Sequence, residues 1–263
     1  MNSSARMNRL FAADGKCLVV ALDHALVNEA QYLRGLENPG PVVANVASAN
    51  PEALLLTVGN APLLQGLAGK GKPALVLRVD TPNAYNQTAQ ACLFDELLAA
   101  PVEQAVRLDA ACVITHLLFI AAQPPLYQQC IQNIGRLRDE CDRYGMPLMV
   151  EARVMEWNGR GGYSPTGDPE KLAPLARQAI ELGADILKLD PPQDPEDFHR
   201  VVQVVGDRPV LALGGGVTGE AELLARTAAL LKQGARGIVY GRNIFGQPDP
   251  AAMTRALMAI VHA

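Results

Sequence analysis

Short, nearly unbroken apolar runs recur along the whole chain: CLVVALDH from Cys17, EALLLTVG from Glu52, ALVLRVD from Ala74, ACVITHLLF from Ala111, PLMVEARV from Pro147, DILKLDP from Asp185, PVLALGGG from Pro209 and GIVYGRN from Gly237. Continuous apolarity, rather than strict alternation, marks strands buried on both faces. Between them lie segments apolar at helical spacing and closed by glycine, such as PEKLAPLARQAIELGA and EAELLARTAALLKQGA. Eight strand-helix units in 263 residues predict an α/β fold, a (β/α)8 TIM barrel forming a single domain over residues 1–263. A doubly wound open sheet is the alternative. It would carry G-x-G-x-x-G after the first strand, where ALDHALVNEA stands instead. No linker rich in Gly, Ser or Pro divides the chain.

Composition narrows the classes of partner. With 49% hydrophobic and 19% charged residues, the chain has enough apolar material for a large core and too little charge for disorder. A net charge of -4 without a basic run argues against nucleic acid or an anionic membrane as the main partner, and leaves room for a small anion in one focused pocket. The five cysteines, Cys17, Cys92, Cys112, Cys130 and Cys141, are scattered and form no C-x-x-C pair, which fits a reducing, cytoplasmic setting. The N-terminus lacks an apolar targeting core. The longest apolar run, near Ala110 to Ala122, holds His116 and falls short of a ~20-residue membrane span.

In such barrels chemistry gathers where the strands end, so polar residues closing an apolar run carry weight. They are Asp23 and His24, Arg78 and Asp80, Glu151 and Arg153, and Lys188 and Asp190. Side chains alternate along a strand, so each of the last three pairs shares one face. Lys188 stands out because Ile186, Leu187 and Leu189 surround it. A desolvated lysine loses basicity, by up to ~3–5 pKa units when fully buried, and its neutral amine can attack a carbonyl. Snorkelling or pairing with Asp190 is the structural alternative. After the seventh and eighth strands, Gly214, Gly215 and Gly216, then Gly241 and Arg242, form loops in which backbone N–H groups and a guanidinium suit a phosphate.

Taken in order, ALDHAL, ELGADILKLD, PVLALGGG, GARGIVYGRNIFGQPDP and the closing AIVH resemble the archaeal-type class I aldolases. That group includes fructose-bisphosphate aldolases, aminodideoxyheptulosonate synthase and the enzyme degrading phosphorylated autoinducer-2. The resemblance spans nearly the whole chain, strongest from Asp168 to His262 and weakest from Pro73 to Gly145. It implies Lys188 as Schiff-base lysine, Asp23 as the carboxylate aiding proton transfer or orienting a substrate hydroxyl, and the two glycine loops as phosphate site. It also implies a phosphorylated ketose or related keto substrate, a homo-oligomer, and neither metal nor cofactor.

The chain departs from the family pattern as well. Members typically carry a catalytic tyrosine in YPRG after the fifth strand, where this chain reads PLMVEARVMEWNGRGGY with Arg153 at that place. Glu151, or Tyr163 if its loop folds over the mouth, is then the candidate acid and base. His24, Arg78 and Asp190 are expected as further substrate contacts. The altered strand keeps alternatives open: acyl transfer to coenzyme A, a sugar-phosphate-binding barrel without turnover, or a divalent-metal lyase using some of Asp23, His24, His116, Glu151 and Asp190. Four histidines without an H-x-H or H-x-x-x-H pair speak against the last.

Overall fold

The structure, a computed structural model, describes residues 5–27, 30–69, 71–86 and 92–263. The first four residues, part of the N-terminal segment discussed above, lie outside them. Each apolar run becomes a strand: β1 Cys17–Ala21, β2 Ala53–Leu56, β3 Ala74–Arg78, β4 Ala110–Phe119, β5 Leu148–Trp157, β6 Ile186–Leu189, β7 Val210–Leu213 and β8 Gly237–Tyr240. Every neighbouring pair is parallel, from β1 with β2 round to β8 with β1, so the sheet closes on itself. The open-sheet alternative is therefore excluded. No described helix is long and apolar enough to cross a membrane.

Helices cover the outside as their sequences require. Asp168 caps Pro169–Glu181 by accepting from the Glu170 N–H, and Asp249 caps Pro250–Val261 by accepting from Ala252. In both, proline fills the first helical position, where its missing N–H has no helical partner to lose. Their apolar faces and the outer strand faces form the larger core. A second core fills the lower lumen, where Cys17, Val19, Leu55, Val76, Ile114, Met149, Ile186, Leu211 and Val239 meet. Leu10, from the short helix Met7–Leu10, packs beneath it.

Two elements at the mouth were not legible as strands. β5 runs beyond the barrel rim and pairs antiparallel with Tyr163–Pro165, bringing that loop back over the opening. Past β3, Asp80–Pro82 pairs antiparallel with Asp95–Leu97.

Candidate active site

Strand register assembles the site. His116 on β4 stands opposite Glu151 on β5, and Glu151 opposite Lys188 on β6, so three polar residues form one row across adjacent strands. The Lys188 ammonium donates to Glu151 Oε2 at 2.8 Å, and His116 Nε2 lies 3.4 Å from the same oxygen. All three are almost inaccessible to solvent. Burying an ammonium beside apolar strand neighbours is tolerable here because a carboxylate meets it at hydrogen-bond distance. Asp190, the same-strand carboxylate of the pairing alternative, is not the partner the fold gives Lys188. Asp190 accepts two hydrogen bonds from Arg153, 2.7 Å from Nε and 2.6 Å from Nη2.

Arg78, at the end of β3, ties the row to β1. Its guanidinium donates to Asp23 Oδ2 at 3.0 Å, Asp80 Oδ1 at 3.2 Å and Glu151 Oε2 at 2.5 Å. Such a fork of donors suits several carboxylates at once, which a lysine would not. Asp80 in turn accepts from the Thr115 hydroxyl and the His116 backbone N–H.

The charges decide which groups can carry a proton. Burial alone would raise the pKa of Glu151, but Lys188, His116, Arg78 and Arg153 outweigh it and hold the carboxyl well below the usual range. Asp23 behaves likewise, burial being outweighed by Arg78, Lys188 and His24. Asp95 goes the other way: burial and the neighbouring Asp80 carboxylate push its pKa well up, which favours its protonated form. Burial lowers His24 to about 4 despite Asp23, leaving a neutral imidazole.

These side chains open into a cavity of about 350 Å³, large enough for a small phosphorylated metabolite. Lys188, Asp23, Glu151, Arg153, Arg78 and His24 line it, and Tyr163 reaches it through the returning loop. Gly214, Gly215, Gly216, Gly241 and Arg242 line it from β7 and β8. Arg242 Nη2 donates to the Gly215 carbonyl, while the buried Asn243 amide donates to Gly214 and Gly216 and accepts from the Thr218 N–H. A side chain at Gly241 would put its Cβ 2.2 Å from His24 Cε1, and one at Gly214 would meet the Tyr240 ring at 2.9 Å. Only glycine lets these loops approach so closely.

Of the residues expected to touch substrate, Asp190 is placed differently. It does not line the cavity, because Arg153 occupies both its oxygens. Tyr163 lines the cavity, but its hydroxyl accepts from the Gln123 amide at 3.5 Å. Sequence reasoning missed Tyr85 and Tyr32. Tyr85, beyond β3, lies between the Arg153 guanidinium, 5.2 Å from its ring centroid, and the His116 ring at 5.4 Å. Tyr32 lies beneath Arg242 at 5.4 Å. The only hint was an aromatic residue in a polar loop just after a strand end, NAYNQ.

Among the described residues, one set has metal-ligand spacing, Asp80, Asp95 and His116, with ligand atoms within 4.8 Å of one another. It shares only His116 with the metal site considered from sequence. Asp80 is already bonded to Arg78 and Thr115, and burial beside Asp80 raises the Asp95 pKa, so a cation here would have to compete with the Arg78 guanidinium and with the Asp95 proton.

A family model described as "DeoC/LacD family aldolase" matches residues 17–247. The chain is 32% identical over 267 residues to an uncharacterized aldolase of Saccharolobus solfataricus, covering 100% of this chain and 95% of that one. It is 29% identical over 274 residues to the class 1 fructose-bisphosphate aldolase of Thermoproteus tenax, covering 99% and 95%. A solved archaeal fructose-1,6-bisphosphate aldolase, described as having its catalytic lysine covalently bound to the carbinolamine intermediate of the substrate, superimposes with a TM-score of 0.82 at 26% identity, covering 100% of both chains.

Proposed function

Because this chain belongs to the DeoC/LacD aldolase family, we propose that it is a class I, Schiff-base aldolase whose nucleophile is Lys188 and whose substrate is a phosphorylated ketose or related keto compound. The observation that carries the reading is the buried Lys188 ammonium, 2.8 Å from Glu151, in a cavity lined on another side by two glycine loops and Arg242.

The geometry supports a sequence of steps. Glu151 is the proton acceptor nearest Lys188; it passes the ammonium proton on to water and returns to its carboxylate form, and the freed amine attacks the substrate carbonyl. The resulting carbinolamine loses water to give a protonated imine. That imine draws in the electron pair of the neighbouring C–C bond, so the carbanion is stored as an enamine and no metal is required. Asp23, held ionised by Arg78 at 3.0 Å, is placed to accept the proton of the hydroxyl whose carbon becomes the aldehyde. The glycine loops and Arg242 anchor the phosphate, and this anchoring positions the carbonyl over Lys188.

The test is reductive trapping. Incubation with phosphorylated ketoses and borohydride is expected to add the substrate mass to the Lys188 peptide, and Lys188→Met is expected to abolish both the adduct and turnover. An unmodified Lys188 peptide across the panel would overturn the reading. Product analysis with and without coenzyme A separates C–C cleavage from acyl transfer.

A further inference from the structure

Dehydration of a carbinolamine needs a neutral acid beside the departing hydroxyl, because hydroxide is a poor leaving group until it is protonated. The ionisable groups lining the cavity mostly fail that requirement. Glu151 and Asp23 are held ionised, and Arg78 and Arg153 stay charged through their carboxylate partners. Tyr163 stands on the returning rim loop, its ring packed against the exposed Trp157 and its oxygen accepting from Gln123, and Tyr32 lies under Arg242 beside the glycine loops.

Tyr85 meets it. Its hydroxyl is buried and no described residue accepts its proton; the ring is fixed between Arg153 and His116, and the Arg153 guanidinium lies near enough to donate to the phenol oxygen. Both of those groups flank Glu151, 3.8 Å and 3.4 Å from its carboxylate oxygens, so Tyr85 lies one side chain away from the partner of Lys188. An unsatisfied buried hydroxyl is costly to a fold, and it is tolerated where a ligand supplies the missing partner. Burial raises its pKa well above the ordinary phenol value, so the group is protonated and can donate.

Resting on the aldolase reading above, we propose that Tyr85 is the general acid of imine formation and that Arg153 is a positioning residue holding it. The Tyr85 hydroxyl proton passes to the carbinolamine oxygen, the C–O bond breaks and water leaves. The nitrogen lone pair closes the C=N bond to give the protonated imine. The phenolate left behind faces the Arg153 guanidinium and keeps that charge partner until the imine is hydrolysed. In imine hydrolysis the same phenolate takes a proton from the attacking water.

The test uses Tyr85→Phe in the full chain with pentane-2,4-dione, a diketone that gives a chromophoric enaminone at a Schiff-base lysine without a matched substrate. Wild type forms the enaminone on Lys188, and Tyr85→Phe forms the same final amount about 100-fold more slowly. Because the hydroxyl proton has no protein acceptor, the variant melts close to the wild-type temperature, which a structural role would not allow. An unchanged trapping rate overturns the assignment. So does a lower melting temperature, since it would show the hydroxyl to be held by the protein. A wild type that forms no enaminone overturns the Schiff-base reading, and this inference falls with it.

Discussion

The lower and upper halves of the barrel lumen are built from the same strands at positions of the same parity, yet they differ completely in chemistry. On β5 and β6, Met149 and Ile186 lie in the apolar lower layer, and two residues further on Glu151 and Lys188 form the ion pair. On β3 and β4, Val76 and Ile114 give way to Arg78 and His116 in the same way. One rise of two residues, about 7 Å, therefore separates a layer held by dispersion and exclusion of water from one held by charge. The lower layer is where stability is made, and the upper layer carries the cost of burying charge so that chemistry can occur.

Breaking the upper layer should have the largest effect. Glu151→Gln removes the negative charge facing both Lys188 and Arg78 and the base that takes the lysine proton, and kcat is expected to fall about 10²- to 10⁴-fold. It should also lose about 3–5 kcal/mol in denaturant titration, because two buried cations lose a counter-ion. Equal kcat in variant and parent would remove Glu151 from the mechanism. In the lower layer, Ile114→Ala is expected to cost about 2–5 kcal/mol while leaving the borohydride trapping rate of the folded fraction unchanged. A slowed trapping rate would show that the two layers are coupled rather than stacked.

A smaller effect separates the layers by pH. The unfolded chain binds a proton at His24 near the ordinary 6.5, whereas the native state, with His24 lowered to about 4, does not. Stability is therefore full above about pH 6.5, falls as the pH drops towards about 4, and loses up to about 3 kcal/mol over that interval. His24→Asn should flatten that part of the melting-temperature profile. A steeper loss further into acid should survive in the variant, as Glu151 and Asp23, both held below their ordinary range, take up protons.

The smallest effect is expected at Asp95. Burial and the Asp80 carboxylate favour its neutral form, so Asp95→Asn should shift stability by no more than about 1 kcal/mol, whereas Asp80→Asn, which strips Arg78 of a counter-ion, should cost about 3–5 kcal/mol. Equal losses from the two variants, measured by chemical denaturation, would show that Asp95 is ionised.

The contrast between layers also explains what could be read in advance. Every barrel strand was legible because each is one unbroken apolar run bounded by polar residues, whereas the short strands at the mouth carry no such run. Which side chains share a face was legible too, since parity is a property of one strand. Register between strands is not. Asp190, the neighbour of Lys188 along the strand, was therefore the carboxylate of the pairing alternative, whereas the fold pairs Lys188 with Glu151 across the ladder and gives Asp190 to Arg153. Tyr85 was invisible for a different reason: it sits in a loop beyond β3, where no period constrains the pattern and only the folded chain shows what it faces.

Arg78 has one more consequence, and it concerns time rather than geometry. Its partners Asp23, His116 and Glu151 lie 55, 38 and 73 residues away along the chain. None of these bonds can be made by a local segment, and they come together only as the sheet joins end to end. The site is thus a late product of folding. A chain still emerging from the ribosome carries all the reactive side chains without the arrangement that makes them reactive, so a carbonyl metabolite meets an assembled catalyst only when the barrel is whole.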